Sequence, residues 1–121
     1  MPIMENLIAH LFLARELAHR AHLQTRSFAQ HVALGDFYGA IGDRADAIAE
    51  AYQGRFGVLL SVPMLTGNPD APIIDTLRAH VEWISSQRYV AVSRDETAIQ
   101  NLIDEAVGAY LSTIYKLQFL A

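Results

Sequence analysis

One stretch, residues 22–50, sets the strongest limit on what this chain can form. It reads HLQTRSFAQHVALGDFYGAIGDRADAIAE and carries two histidines, three glycines and a late acidic pair. Asp46 and Glu50 stand four residues apart, so on a helix they share one face. His31 lies fifteen residues before Asp46, which is roughly 22 Å along a straight helix. These side chains therefore cannot bind one ion within a single chain unless the helix breaks.

A helical projection of this stretch separates a polar, glycine-rich face from an apolar stripe. The polar face holds His31, Asp46 and the three glycines, with Glu50 at its edge. The midpoint between His31 and Asp46 falls beside Gly39, so a second, antiparallel copy of the helix crossing there would set His31 of one chain next to Asp46 of the other. The glycines would let the two helix backbones approach closely. We therefore predict a two-fold dimer through the second helix, with two metal sites that use residues of both chains. The apolar stripe comprises Leu34, Phe37, Tyr38, Ile41, Ala45, Ile48 and Tyr52.

Apolar periodicity elsewhere in the chain predicts three more amphipathic helices. The apolar positions of these helices include Leu7, Leu11, Ala14 and Ala18 in the first, Leu77 and Ile84 in the third, and Leu111 in the fourth. Thr25 or Ser27 is a candidate N-cap of the second helix, and Gly54 and Gly57 are candidate stops. Ser93 with Glu96 has the spacing of a capping box. Two short connections and a longer middle one predict an all-α four-helix bundle that forms a single domain over residues 1–121. The expected helices cover Met4 to Gln24, Ser27 to Gln53, Ala71 to Tyr89, and Ser93 towards the C-terminus.

Composition argues against several classes of function. The chain has 121 residues, a net charge of −4 and no cluster of Lys and Arg, so it lacks the basic footprint that sequence-independent nucleic-acid binding requires. It has no cysteine and no apolar run long enough to span a bilayer. The N-terminal segment reads as an amphipathic helix rather than a signal peptide. We expect a cytoplasmic protein with neither a nucleic-acid nor a membrane partner.

The order of residues around the second helix resembles that of Dps-like miniferritins, a branch of the ferritin-like superfamily. That family places one His near the end of helix one and another early in helix two, followed by an Asp and a Glu four residues apart; the matching positions are His22, His31, Asp46 and Glu50. The stretch is also similar to small ferritin-like proteins encoded by tailed phages. The resemblance covers the first half of the chain. It implies a ferritin-like bundle, the two His from one subunit and the acids from its mate, and assembly up to a dodecameric cage.

Two imidazoles and two carboxylates form a ligand set suited to Fe(II), and equally to Zn(II) or Mn(II). With iron the expected function is ferroxidase-type oxidation of Fe(II), serving iron storage or oxidative protection. A structural or interaction protein on the same scaffold is the alternative, in which Asp46 and Glu50 form a solvated acidic face and the histidines cap or line an interface. Glu16 and His19 have a di-iron ligand spacing, but the chain contains no second Glu-x-x-His pair.

Overall fold

The computed structural model describes residues 2–121 and contains four α-helices. They are α1 (Ile3–Gln24), α2 (Phe28–Phe56), α3 (Ile73–Ala91) and α4 (Thr97–Phe119). Each predicted helix is present, and no strand occurs in the described residues. The predicted four-helix bundle is confirmed.

Contacts between the helices define the topology. α1 lies beside α2 and α3, α4 lies beside the same two helices, and α2 and α3 are diagonally opposite. α2 and α4 are antiparallel, since the ion pairs Arg44–Glu105 and Arg55–Glu96 run in opposite directions along them. The short connections make α1 antiparallel to α2 and α3 antiparallel to α4. α2 and α3 are therefore parallel, and residues 57–72 form one long crossover between them.

The crossover returns along the outer side of α1. The backbone N–H of Ser61 donates to the Glu5 carboxylate near the start of α1, and that of Leu60 donates to Gln53 Oε1 at 2.9 Å. Further along, Gly67 lies directly against Leu17, and a Cβ built at this glycine would be 3.0 Å from Leu17 Cδ1. The crossover thus partly covers α1 and leaves the α1–α2 face next to it open.

The core follows the apolar stripes expected from the sequence. Leu7, Leu11, Ala14 and Ala18 of α1 are all buried, whereas Leu111 of α4, which was expected to point inward, is 52% exposed. Burial of each large aliphatic side chain stabilises the fold by roughly 1.5–3 kcal/mol. The part of the α2 stripe that is fully buried consists of Leu34, Phe37, Ile41, Ala45 and Ile48.

Helix ends differ from the expectations at several places. Gly54 does not end α2, which continues to Phe56; Gly57 ends it, with a left-handed φ of 65°. The capping box expected at Ser93 and Glu96 does not form, because the Glu96 carboxylate pairs with Arg55 of α2 at 2.9 Å. α4 therefore begins at Thr97 and α3 runs from Ile73 to Ala91, two residues later at each end than expected.

Of the two candidate N-caps, Thr25 and Ser27, it is Ser27 that caps α2, because its hydroxyl accepts a hydrogen bond from the backbone N–H of Gln30 at 3.2 Å. Replacing it by alanine leaves that donor without its partner, so Ser27→Ala is expected to lower the free energy of unfolding by about 1 kcal/mol. Ser112→Ala is the matched control: Ser112 is exposed within α4, where alanine is a good helix former. Urea denaturation of both variants measures the difference. Equal stability of the two would contradict the assigned cap.

Candidate metal centre

His22 and His31 meet where α1 ends and α2 begins. Their rings are stacked with centroids 3.7 Å apart and planes 18° from parallel. Each ring is held by the backbone of the other residue: His22 Nδ1 lies 2.6 Å from the His31 carbonyl oxygen, and His31 Nδ1 lies 2.8 Å from the His22 carbonyl oxygen. The three-residue connection therefore brings together the two histidines that the sequence singled out.

These hydrogen bonds fix the tautomer of both rings. A carbonyl oxygen only accepts, so each Nδ1 carries the proton, and the neutral ring keeps its free lone pair on Nε2. Histidines that ligate metals typically have this arrangement, with one ring nitrogen donating to a backbone carbonyl and the other binding the ion. Both histidines therefore have the tautomer and the backbone hydrogen bond that are typical of metal ligands.

The stacking also limits how the pair can bind. A ligated ion lies close to the plane of its imidazole, at about 2.0–2.1 Å from the nitrogen for zinc. Ring planes that are nearly parallel and stacked at 3.7 Å cannot both contain the same ion. As arranged, His22 and His31 would therefore serve two different ions, each of which needs further ligands.

The structure does not bring the predicted carboxylates to these histidines within the chain. α2 is a continuous helix through both positions, so Asp46 remains roughly 22 Å from His31 along it. Asp46 and Glu50 are both exposed. Within residues 2–121 no three His, Asp or Glu side chains lie close enough to share an ion. Within the described residues, the four predicted ligands therefore do not form one site in a single chain.

The role expected for the glycines of α2 requires revision. Gly35 lies against His22, where a Cβ would come within 3.1 Å of the ring, and Gly42 lies against Arg15, where it would come within 3.4 Å. The close approach at these two glycines is therefore between α1 and α2 of one chain. Gly39 is different, because nothing lies within 4 Å of its Cβ position. Of the three glycines in residues 22–50, only Gly39 has an open Cβ position.

A shallow groove of about 120 Å³ follows this face beside Asp46. Its wall includes Phe12 and Arg15 of α1, Gly39, and the carboxylates Asp43 and Asp46. At the other end of the same face His19 stacks on Tyr38, with ring centroids 4.2 Å apart, next to the His22–His31 pair. The face thus has an acidic half and a histidine-rich half.

A second group of titratable side chains lies inside the bundle and was not identified from the sequence. His80 of α3 is buried, and its Nδ1 lies 3.1 Å from the hydroxyl of the fully buried Tyr110 of α4. Burial, with a smaller contribution from neighbouring His10, lowers the pKa of His80 to about 4. The sequence did indicate that His80 is buried. It lies three residues after Leu77 and four before Ile84, two predicted inward positions, and so shares their face of the helix.

Fold and site together define a four-helix bundle whose α1–α2 face carries a preorganised histidine pair. The chain belongs to DUF5856, a family of unknown function, whose model matches residues 22–117. It is also 28% identical over 109 residues to a protein of Enterobacteria phage T4, the uncharacterized 14.6 kDa protein in the mobD-ri intergenic region. That match covers 88% of this chain and 81% of the phage protein. No solved structure gives a significant match.

None of the helices in residues 2–121 is long and apolar enough to cross a membrane.

Proposed function

We propose that this protein is a ferritin-like, Dps-like metal-binding protein that takes Fe(II) as its substrate at sites shared by two chains. The observation that carries the proposal is the His22–His31 pair, with both Nδ1–H groups held by backbone carbonyls and both Nε2 atoms left for metal. The acids are Asp46 and Glu50 of the second copy. Zn(II) and Mn(II) suit the same ligands.

The topology supports the ferritin-like part of the proposal. Ferritin-like bundles have two antiparallel helix pairs joined by one long crossover. This chain has that arrangement, with residues 57–72 joining the parallel helices α2 and α3. The match with a phage protein accords with the tailed-phage resemblance of the second-helix sequence.

Complementary metal ligands support an antiparallel dimer through the α1–α2 face. The acidic half of the face, around Asp46 and Glu50, would lie against the histidine half of the second copy. Gly39 sits at the centre of this arrangement and, like Gly54 near the end of α2, has open space at its Cβ position. Two-fold symmetry then gives two equivalent sites per dimer.

The chemistry requires each chain to supply a different kind of ligand. The imidazoles bind Fe(II) through Nε2, while the carboxylates of the partner neutralise charge and favour the Fe(III) product. Two Fe(II) ions each give one electron to O₂ or peroxide at the paired positions that the two stacked rings define. Storage of the ferric product requires further assembly into a hollow cage, of which the two-fold dimer is the building unit.

Anaerobic titration of metal-free protein with Fe(II), followed by light scattering, tests this function. We expect saturation at two or more ions per dimer, rapid oxidation when peroxide is added, and a mass of at least a dimer. Oxidation no faster than in buffer alone would contradict the proposed activity.

Gly39→Leu tests the position of the dimer contact. The isolated chain has room for the new side chain, so the fold is expected to remain intact, but leucine at the crossing would hold the two helices apart. Gly108→Leu is the matched control, because Gly108 of α4 is equally open and lies on another helix. Sedimentation should show loss of the dimer for Gly39→Leu and none for Gly108→Leu. Dimers of equal stability in both variants would place the contact elsewhere.

One observation favours a second function, that of a structural or interaction protein. The reciprocal bonds of His22 and His31 already fasten α1 to α2, and within residues 2–121 no third His, Asp or Glu is placed to share an ion with them. This alternative predicts an assembly that forms without metal and is unchanged by chelators, with no saturable Fe(II) binding.

A further inference from the structure

The interior of the bundle contains a chain of aromatic rings that the proposed metal site does not use. Tyr110 contacts His80, with ring centroids 6.0 Å apart, and His80 meets His10 edge-on at 5.2 Å. His10 stacks on Trp83 at 3.8 Å with planes 16° from parallel. Tyr110 is fully buried, whereas Trp83 is half-buried between α1 and α3. The rings therefore connect the centre of the bundle to its surface.

The hydrogen bonds identify the group that accepts the hydroxyl hydrogen of Tyr110. Within residues 2–121 the phenol has one hydrogen-bond partner, His80 Nδ1 at 3.1 Å. A buried hydroxyl hydrogen requires an acceptor, so the phenol donates and Nδ1 of neutral His80 accepts. The other titratable group facing His80 is His10, whose Nδ1 is held by the Asn6 carbonyl oxygen at 2.7 Å. His80 is the base available to take the phenol proton.

Tyr110, His80 and the neighbouring rings meet the requirements for reversible oxidation of a tyrosine. A phenol loses its proton when it loses an electron, because the radical cation is a very strong acid, and even a weakly basic imidazole accepts that proton. Burial keeps the resulting radical away from solvent and from other chains. The aromatic rings between Tyr110 and Trp83 provide a short path for the electron.

We propose that Tyr110 is a redox-active tyrosine, with His80 as its proton acceptor and Trp83 as the surface end of its electron path. A one-electron oxidant at Trp83, such as a radical derived from peroxide, removes one electron from Tyr110. The O–H bond breaks, the proton moves to His80 Nδ1, and a neutral tyrosyl radical and an imidazolium remain. Reduction returns the electron to the phenoxyl oxygen and the proton from His80. The site acts as a sink for oxidising equivalents and does not depend on the metal site.

Flash oxidation of the metal-free protein tests the proposal. Photogenerated tris(bipyridine)ruthenium(III), with persulfate as the sacrificial acceptor, serves as the one-electron oxidant, and frozen samples are examined by EPR. We expect a tyrosyl spectrum that is lost in Tyr110→Phe and retained in Tyr115→Phe, which removes an exposed phenol from the same helix. Trp83→Phe should slow the appearance of the signal. His80→Phe should lower its yield and remove its dependence on solvent deuterium.

A second variant keeps the test decisive if Tyr110→Phe is poorly folded. The chain has five tyrosines, and the four others can be replaced together, leaving Tyr110 alone. This variant is expected to give the wild-type signal. Absence of a tyrosyl signal in it, or an unchanged signal in folded Tyr110→Phe, would overturn the proposal. The replaced residues are Tyr38, Tyr52, Tyr89 and Tyr115.

Discussion

Asp46→Ala and Glu50→Ala are each expected to abolish saturable Fe(II) binding while leaving the fold intact. Both side chains are exposed on α2 and neither forms an ion pair within residues 2–121, so removing them should cost the isolated chain little stability. In the proposed dimer each is a direct ligand. Loss of a supporting group around a metal already lowers affinity about 10–100-fold, so loss of a ligand should lower it by about 100-fold or more. Anaerobic titration and the rate of peroxide-driven oxidation provide the two measurements.

Glu82→Ala is the control for this experiment. Glu82 is also an exposed carboxylate, but it lies on α3, diagonally opposite α2. Its removal changes the net charge by the same amount without touching the proposed site. Equal Fe(II) affinity in all three variants would mean that Asp46 and Glu50 are only a solvated acidic face.

Acid is expected to destabilise the bundle through His80. Its pKa in the folded protein is lowered to about 4 from 6.5, by burial and by His10. The unfolded chain therefore binds a proton near pH 6.5, whereas the folded chain does so only near pH 4. The stabilising contribution is complete above pH 6.5 and is lost as the pH falls towards 4, by about 3 kcal/mol at about 1.4 kcal/mol per pH unit.

Urea denaturation at several pH values between 7.5 and 4.5 measures this contribution. The comparison is between the wild type and His80→Phe, because this substitution removes the titration of His80 itself. The variant is expected to be less stable at pH 7.5, where it lacks the Tyr110 hydrogen bond, and to lose less stability on acidification. His19→Gln removes an exposed histidine, and its free energy of unfolding should fall with pH as steeply as that of the wild type. An equally steep fall in His80→Phe would contradict the role assigned to His80.

The helices and the core could be predicted from the sequence because apolar periodicity reports them directly. Leu7, Leu11, Phe37 and Ile41 are buried where the pattern placed them. The ends of the helices were harder to predict, because contacts between helices determine where each one begins and ends. Glu96 could have closed a capping box with Ser93, but Arg55 on another helix takes its carboxylate.

The site was predictable in part. Spacing singled out His31, and the resemblance to Dps-like miniferritins added His22. Their reciprocal bonds to backbone carbonyls depend on how the three-residue connection turns, which no periodicity encodes. The glycine pattern was also ambiguous. A glycine at position 35 indicates that some neighbour packs closely there, and only the structure shows that this neighbour is His22 of the same chain. The His80–Tyr110 contact joins α3 to α4 and depends on their register.

The most direct test of the central claim is complementation between two inactive variants. One carries His22→Ala and His31→Ala, and the other carries Asp46→Ala and Glu50→Ala. A mixed dimer rebuilds one intact site from the histidines of one chain and the acids of the other. After equal mixing and subunit exchange, random pairing makes half of the dimers mixed, so about a quarter of the wild-type Fe(II) capacity should return. Recovery near that value is the predicted result, and no recovery from mixtures shown to exchange subunits would contradict a site shared by two chains.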